Sequence, residues 1–339
     1  MMQSRPPGRK CLFLLMLLVF HSCKKDYNAN LHSAAISNTS LEFTDTVRVP
    51  INDLGTGTYM GVMGGLYPGG VNDYSGRYKK DLKSFATAIK PLNGPGVVDS
   101  VKGKILFISM GASTSGHLMD SLKQKTIRDS AHTNPYLRLL NCSNGGGVAS
   151  LQQIANLSDP YWDHVTRIIL NSKSTYKQVQ VIYMETEDSV NNVFGFPDRP
   201  NMYRDHAIAA IQACMTKCPN LKFIYVLGRT TTFGDVRLTN KEPSPYYCGW
   251  GWKFLIEAQI NGAAGTQYKG DSAIAPMVTW GWYEWANGTN VPRQDGFTWQ
   301  ESDTEDGIHA TPAGEDTLST RFKNFLLTDK VASIWYKRK

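Results

Sequence analysis

The chain has 339 residues, 41% of them apolar and 19% charged, enough for one large folded domain and neither disordered nor coiled-coil in character. Its net charge of +7 hints at nucleic acid, but Arg5, Arg9, Lys10, Lys24 and Lys25 (set against Asp26) with Lys337, Arg338 and Lys339 hold the whole excess. The body between those ends is neutral, which removes the clustered basic groove that phosphate binding needs and excludes nucleic acid as a partner.

The basic start runs into the apolar stretch Cys11 to Phe20. As a helix it would span only about 15 Å, half of a ~30 Å hydrocarbon core, so it reads as a secretory signal over 1–22. The placement of Cys23 resembles a bacterial lipoprotein signal, in which the cysteine becomes the lipidated first residue. The expectation is an exported protein, lipid-anchored in the bacterial cell envelope (periplasm or outer membrane). Lipid is its only membrane contact, because no later stretch is long and apolar enough to span. Residues 23–57, rich in Asn, Ser, Thr and Asp, read as a tether, and 58–336 as the folded domain.

Within that domain, Lys104–Ser109, Val179–Met184 and Leu221–Leu227 are short apolar runs, with weaker candidates at Leu137–Asn141 and Met277–Trp280. Near-continuous apolar runs predict strands buried on both faces, as in parallel sheets. Helical patterns alternate with them. Trp162, Val165, Ile168 and Ile169 mark a helix over Asp159–Asn171, and Ile208, Ile211 and Met215 mark another over Met202–Cys218, stopped by Pro219. In the last helix Thr311 caps, Pro312 takes the first position, and Leu318, Phe322, Phe325 and Leu326 line one face. The alternation predicts a three-layer α/β/α sandwich with a parallel central sheet, in which ligands bind beyond the carboxyl ends of the strands.

Cys142, Cys214, Cys218 and Cys248 remain in this domain. Export permits disulfides, while isolated buried thiols are the alternative; Cys214 and Cys218, four apart on a helix, are badly placed to bond each other. Their spacings match no zinc pattern, and no metal or organic cofactor is expected.

Three segments hold candidate chemistry. Ser109-Met-Gly-Ala-Ser-Thr-Ser115 puts Ser113 in a small-residue turn after the best strand, where a nucleophile is exposed. In Asp306-Gly-Ile-His309, two intervening residues let the carboxylate turn back onto the imidazole's far nitrogen, freeing the near one to take a serine proton. Asn144-Gly-Gly-Gly147 lets the backbone approach a substrate and offers N–H groups to a developing oxyanion. Taken singly, a polar loop, a surface Asp–His pair and a plain turn explain each of these as well.

In this order the three segments resemble the SGNH (GDSL-type) hydrolases. The likeness extends over about residues 58–336 through Gly65-Leu-Tyr-Pro-Gly-Gly70, Tyr161-Trp-Asp163, Pro245-Tyr-Tyr247 and Trp280-Gly-Trp-Tyr-Glu-Trp285, which look like a little-characterised exported SGNH-like group. The resemblance implies an SGNH/flavodoxin-like fold, with Ser113 as nucleophile, His309 as base, Asp306 as its orienting acid, and the N–H groups of Ser113 and of Gly146 or Gly147 lining the oxyanion hole. The chain departs from the pattern twice. Its first block reads Gly111-Ala112-Ser113, and the block that supplies Gly-x-Asn-Asp is replaced by Glu185-Thr-Glu-Asp188, with no Asn before Asn191. Loss of one oxyanion donor costs roughly 10²–10³ in rate, against about 10⁶ for the nucleophile or base, so slowed rather than dead chemistry is expected. Arg229, just after the third strand, is a candidate for the missing positive group.

Trp250, Trp252, Trp280, Trp282, Trp285 and Trp299 crowd one region. Indoles stack on sugar rings as readily as they pack in cores, so Trp280, Trp282 and Trp285 are candidate substrate contacts. The function read from the chain is an exported serine ester hydrolase of small-molecule or glycan esters, removing acyl groups from carbohydrate. Its alternative is a catalytically weak or inactive glycan-binding surface lipoprotein on the same fold.

Overall fold

A computed structural model of the chain describes residues 48–144, 149–190 and 194–339. Cys23, Gly146, Gly147 and Asn191 lie outside the described residues. The described residues begin ahead of position 58, within the segment read as a tether. Within it, α1 (Ile51–Leu54) buries Ile51 completely. The two-residue strands β1 (Thr58–Tyr59) and β2 (Val62–Met63) then pair antiparallel, and α2 (Gly76–Ala88) follows.

From there strands and helices alternate. In chain order they are β3 (Ile105–Gly111), α3 (Ser113–Arg128), β4 (Leu137–Asn141), α4 (Leu151–Ala155), α5 (Pro160–Asn171), β5 (Val179–Glu185) and α6 (Asp198–Lys217). The second part runs β6 (Phe223–Val226), α7 (Ser244–Ile260), β7 (Met277–Trp280), α8 (Pro312–Thr328) and α9 (Ala332–Tyr336). The five long strands form one parallel sheet in the order β4-β3-β5-β6-β7. Every residue of β3, β5, β6 and β7 is buried, whereas the edge strand β4 exposes Arg138. Helices covering both faces of a parallel sheet bury its strands, and of the two edge strands β7 is buried throughout while β4 alone exposes a residue.

The helices sort into two sets by their mutual packing. α3 lies against α8, α8 against α9 and α9 against α2; α4 lies against α5 and α6, and α6 against α7. Right-handed crossovers account for the split, because the chain moves one way along the sheet from β3 to β4 and the other way from β4 onward. The result is a three-layer α/β/α sandwich, with the strand order of the flavodoxin-like doubly wound sheets. Its direction reverses between β3 and β5, which places a ligand crevice beyond their carboxyl ends.

The predicted helices appear with small shifts. Asp159 caps α5 through its side chain, 2.9 Å from the Tyr161 N–H, and Thr311 caps α8 in the same way. α6 starts four residues before Met202, because Pro200 sits in the first turn, where a helix makes no use of its missing N–H. The Ser113 turn is shorter than its sequence suggests: the backbone bends at Gly111-Ala112 and α3 begins at Ser113 itself. Cys142, Cys214, Cys218 and Cys248 are all free and buried. Among the described residues no helix is long and apolar enough to cross a membrane.

Candidate active site

The carboxyl end of β3 delivers Ser113 to the first position of α3. Its Oγ lies 2.7 Å from His309 Nε2. On the far side of the ring, His309 Nδ1 lies 2.7 Å from Asp306 Oδ2. The other carboxylate oxygen, Oδ1, accepts from the N–H groups of Ile308 at 3.0 Å and His309 at 2.8 Å. This tight turn needs Gly307, whose φ of +83° is a left-handed conformation and whose α-carbon packs against the Phe233 backbone. Partial burial raises the Asp306 pKa, but the hydrogen bonds from His309 and Ile308 outweigh it and hold the carboxyl down at about 2. Asp306 therefore stays ionised and fixes the ring with Nε2 toward the serine.

A pocket of about 580 Å³ opens over this chain of hydrogen bonds, lined by Ser113, His309, Ser150, Gln153, Thr186, Glu187, Arg229, Arg237 and Asn240 among others. It lies at the switch point between β3 and β5, with the loop after β5 on one wall and the loop after β6 on another. Arg229 is buried, and its Nη2 donates to Asn240 Oδ1 at 2.9 Å. Among the described residues its Nη1 has no hydrogen-bond partner, nor has Glu187 Oε2.

Glu185, whose charge would hinder an oxyanion, does not line this pocket. It is buried beneath Thr114, accepts from the Tyr183 hydroxyl, and faces a small cavity of about 20 Å³ shared with Glu284. Burial pushes both carboxyls up, Glu284 well above the ordinary range, and the proximity of Glu185 pushes it further. Neither Glu284 oxygen has a hydrogen-bond partner among the described residues, and a carboxyl so placed favours its neutral form. His117, one turn along α3, stands beside the site; its ring centroid is 5.7 Å from that of His309, and its Nδ1 is 2.9 Å from Glu315 Oε1.

The tryptophans correct the sequence reading. Trp280 and Trp285 are buried, with Nε1 donating to Leu66 O at 2.9 Å and to Glu242 Oε1 at 3.0 Å. Trp282 is half-buried, with the guanidinium groups of Arg293 and Arg321 each 5.3 Å from its ring. None of the three lines the pocket. They pack because α7 beside them is buried on every side and demands large apolar partners. Sequence reasoning missed Asn240, Glu187, Gln153, His117 and Glu284. A Glu set among aromatics in Trp282-Tyr-Glu-Trp285 was a usable signal for a buried acid; the others carry none.

No protein-family model and no curated protein matches the chain. Among solved structures, the chain is similar to a crystal structure of a putative acylhydrolase from Bacteroides fragilis, with 11% identity and a TM-score of 0.35 over 74% of this chain and 97% of the other. A likeness of that degree carries nothing about chemistry, and function has to be read from the site.

Proposed function

We propose that the protein is a serine ester hydrolase of the SGNH type, exported and lipid-anchored at the cell envelope, that removes acyl groups from carbohydrate. The observation that carries the reading is the unbroken hydrogen-bond chain from Ser113 through His309 to Asp306 at the floor of the pocket. Ser113 Oγ attacks the ester carbonyl while His309 Nε2 takes its proton. The imidazolium then returns that proton to the departing alkoxide, and in the second half His309 draws a proton from water to release the acid. Asp306, ionised throughout, holds the ring and stabilises its cationic form. Ser113 heads α3, so its own N–H is one of the unpaired donors of a helix start and serves the oxyanion. Arg229 is the positive group on the wall of the same pocket.

The carbohydrate part of the reading rests on polar groups, not on the tryptophans. Arg229 Nη1 and Glu187 Oε2, a donor and an acceptor on one pocket without partners among the described residues, complement the polar groups of a sugar. The test is fluorophosphonate labelling and p-nitrophenyl acetate hydrolysis by the folded domain beside Ser113→Ala and His309→Ala. Labelling of Ser113, with turnover lost by about 10⁴-fold or more in both variants, supports the mechanism. An unlabelled wild type with the same background as both variants overturns it, and glycan binding without turnover becomes the better account.

A further inference from the structure

The loop after β6 brings two guanidinium groups to the pocket that holds Ser113. Arg229 is buried, its plane fixed by Asn240, with one terminal nitrogen unpartnered. Arg237 is exposed at the same pocket, and its guanidinium makes no hydrogen bond or ion pair with a described residue. Against these two positive charges the described residues of the lining supply a single carboxylate, Glu187. The neighbouring acids are already engaged: Asp306 holds His309, and Glu185 is turned down to Tyr183.

A neutral ester in this pocket leaves one positive charge uncompensated and gives the buried Arg229 donor at best a neutral acceptor, a weaker hydrogen bond than an ionised acceptor makes. A substrate with one negative charge satisfies both. Arginine's planar fork suits a carboxylate, and a guanidinium already held on one side loses little freedom in receiving it.

We infer that the natural substrate is an ester that also carries a carboxylate, received by Arg229 inside the pocket and by Arg237 at its rim. The inference rests on the hydrolase reading for the ester and adds the charge. The carboxylate sits either on the acyl side, as in a hemiester of a dicarboxylic acid, or on the alcohol side, as in an acylated uronic acid. Glu187 opposes a second negative charge and sets the preference at one.

Two substrate pairs test this. The first is p-nitrophenyl hemiglutarate against p-nitrophenyl valerate; the second is O-acetylated glucuronic acid against O-acetylated glucose. In at least one pair the acid is expected to have the higher kcat/KM by about tenfold or more, the size of a charge-assisted hydrogen bond. The favoured pair tells which side carries the charge. Arg229→Gln and Arg237→Gln each shrink that ratio, and Arg229→Lys retains part of it. Faster neutral esters in both pairs, or ratios untouched by either Gln variant, overturn the inference. Calorimetry of glutarate and glucuronate with Ser113→Ala keeps it separate from turnover. Heat that weakens with added salt and disappears in Arg229→Gln supports the anion site even if no ester is cleaved, whereas no heat from either ligand refutes it.

Discussion

Gly111 and Glu185 face each other across the two central strands so closely that a β-carbon on Gly111 would run into the Glu185 carbonyl. The same β-carbon would stand 2.6 Å from Ser115 Oγ, and the Gly111 φ of +142° is itself unfavourable for any side chain. Both constraints act two residues before Ser113. Gly111→Ala is expected to cost roughly 3 kcal/mol or more and to move the serine away from His309. Denaturant unfolding and ester turnover should fall together; a stable, fully active Gly111→Ala protein would show that the turn has slack.

Asp306 has its pKa depressed from 3.8 to about 2, despite the opposing effect of partial burial, by hydrogen bonds from the His309 and Ile308 N–H groups and the His309 ring. A depressed carboxyl stabilises the fold above its unfolded pKa, and that contribution is lost as pH falls through the folded value. The turn should therefore loosen between about pH 4 and pH 2. Asp306→Asn should remove this part of the acid dependence, measured as unfolding free energy against pH. It should also cut kcat by about 10⁴, because the amide no longer favours the productive tautomer.

Glu284 behaves oppositely. Burial, then the neighbouring Glu185, raises its pKa, so the folded state prefers the neutral acid. Stability from this group is complete below its ordinary value of 4.5 and declines as pH rises toward the folded value. Glu284→Gln keeps the shape and removes the ionisable group. It is expected to match the wild type in acid and exceed it at alkaline pH in thermal unfolding. A variant less stable than wild type at every pH would mean that the carboxylate is ionised and held by a partner.

The four thiols of the domain are buried, and burial pushes Cys142 and Cys248 up to about 12 and Cys214 and Cys218 up as well. A thiol reacts as its thiolate, so these four should resist alkylation in the native protein and all react after unfolding without reductant. A disulfide mapped between any two of them would contradict the structure.

The sheet was legible because strands buried on both faces read as unbroken apolar runs, and Val179–Glu185 differs from its expected span by one residue. The Ser113, Asp306 and His309 placement was legible because each half is local: a strand-to-helix turn, and a carboxylate three positions from its imidazole. α7 was missed because it is buried all round, so no polar stripe marks its period. Trp280 and Trp285 were misread for a related reason, since nothing in a sequence says which way an indole faces. The far pocket wall escaped because Glu187 and Asn240 come from separate loops that only the strand order brings together.

Ser113 and His309 sit 196 positions apart, yet α3, which Ser113 begins, and α8, which follows His309, are clamped together, with Ser121 Oγ 2.8 Å from Ser319 Oγ and Lys125 bound to Asp316. Ser113 emerges early in synthesis and His309 near its end. A nascent chain that stops short of His309 thus carries the serine without its imidazole partner. On the proposed mechanism, ester cleavage becomes a direct report that the turn before α8 has docked onto α3.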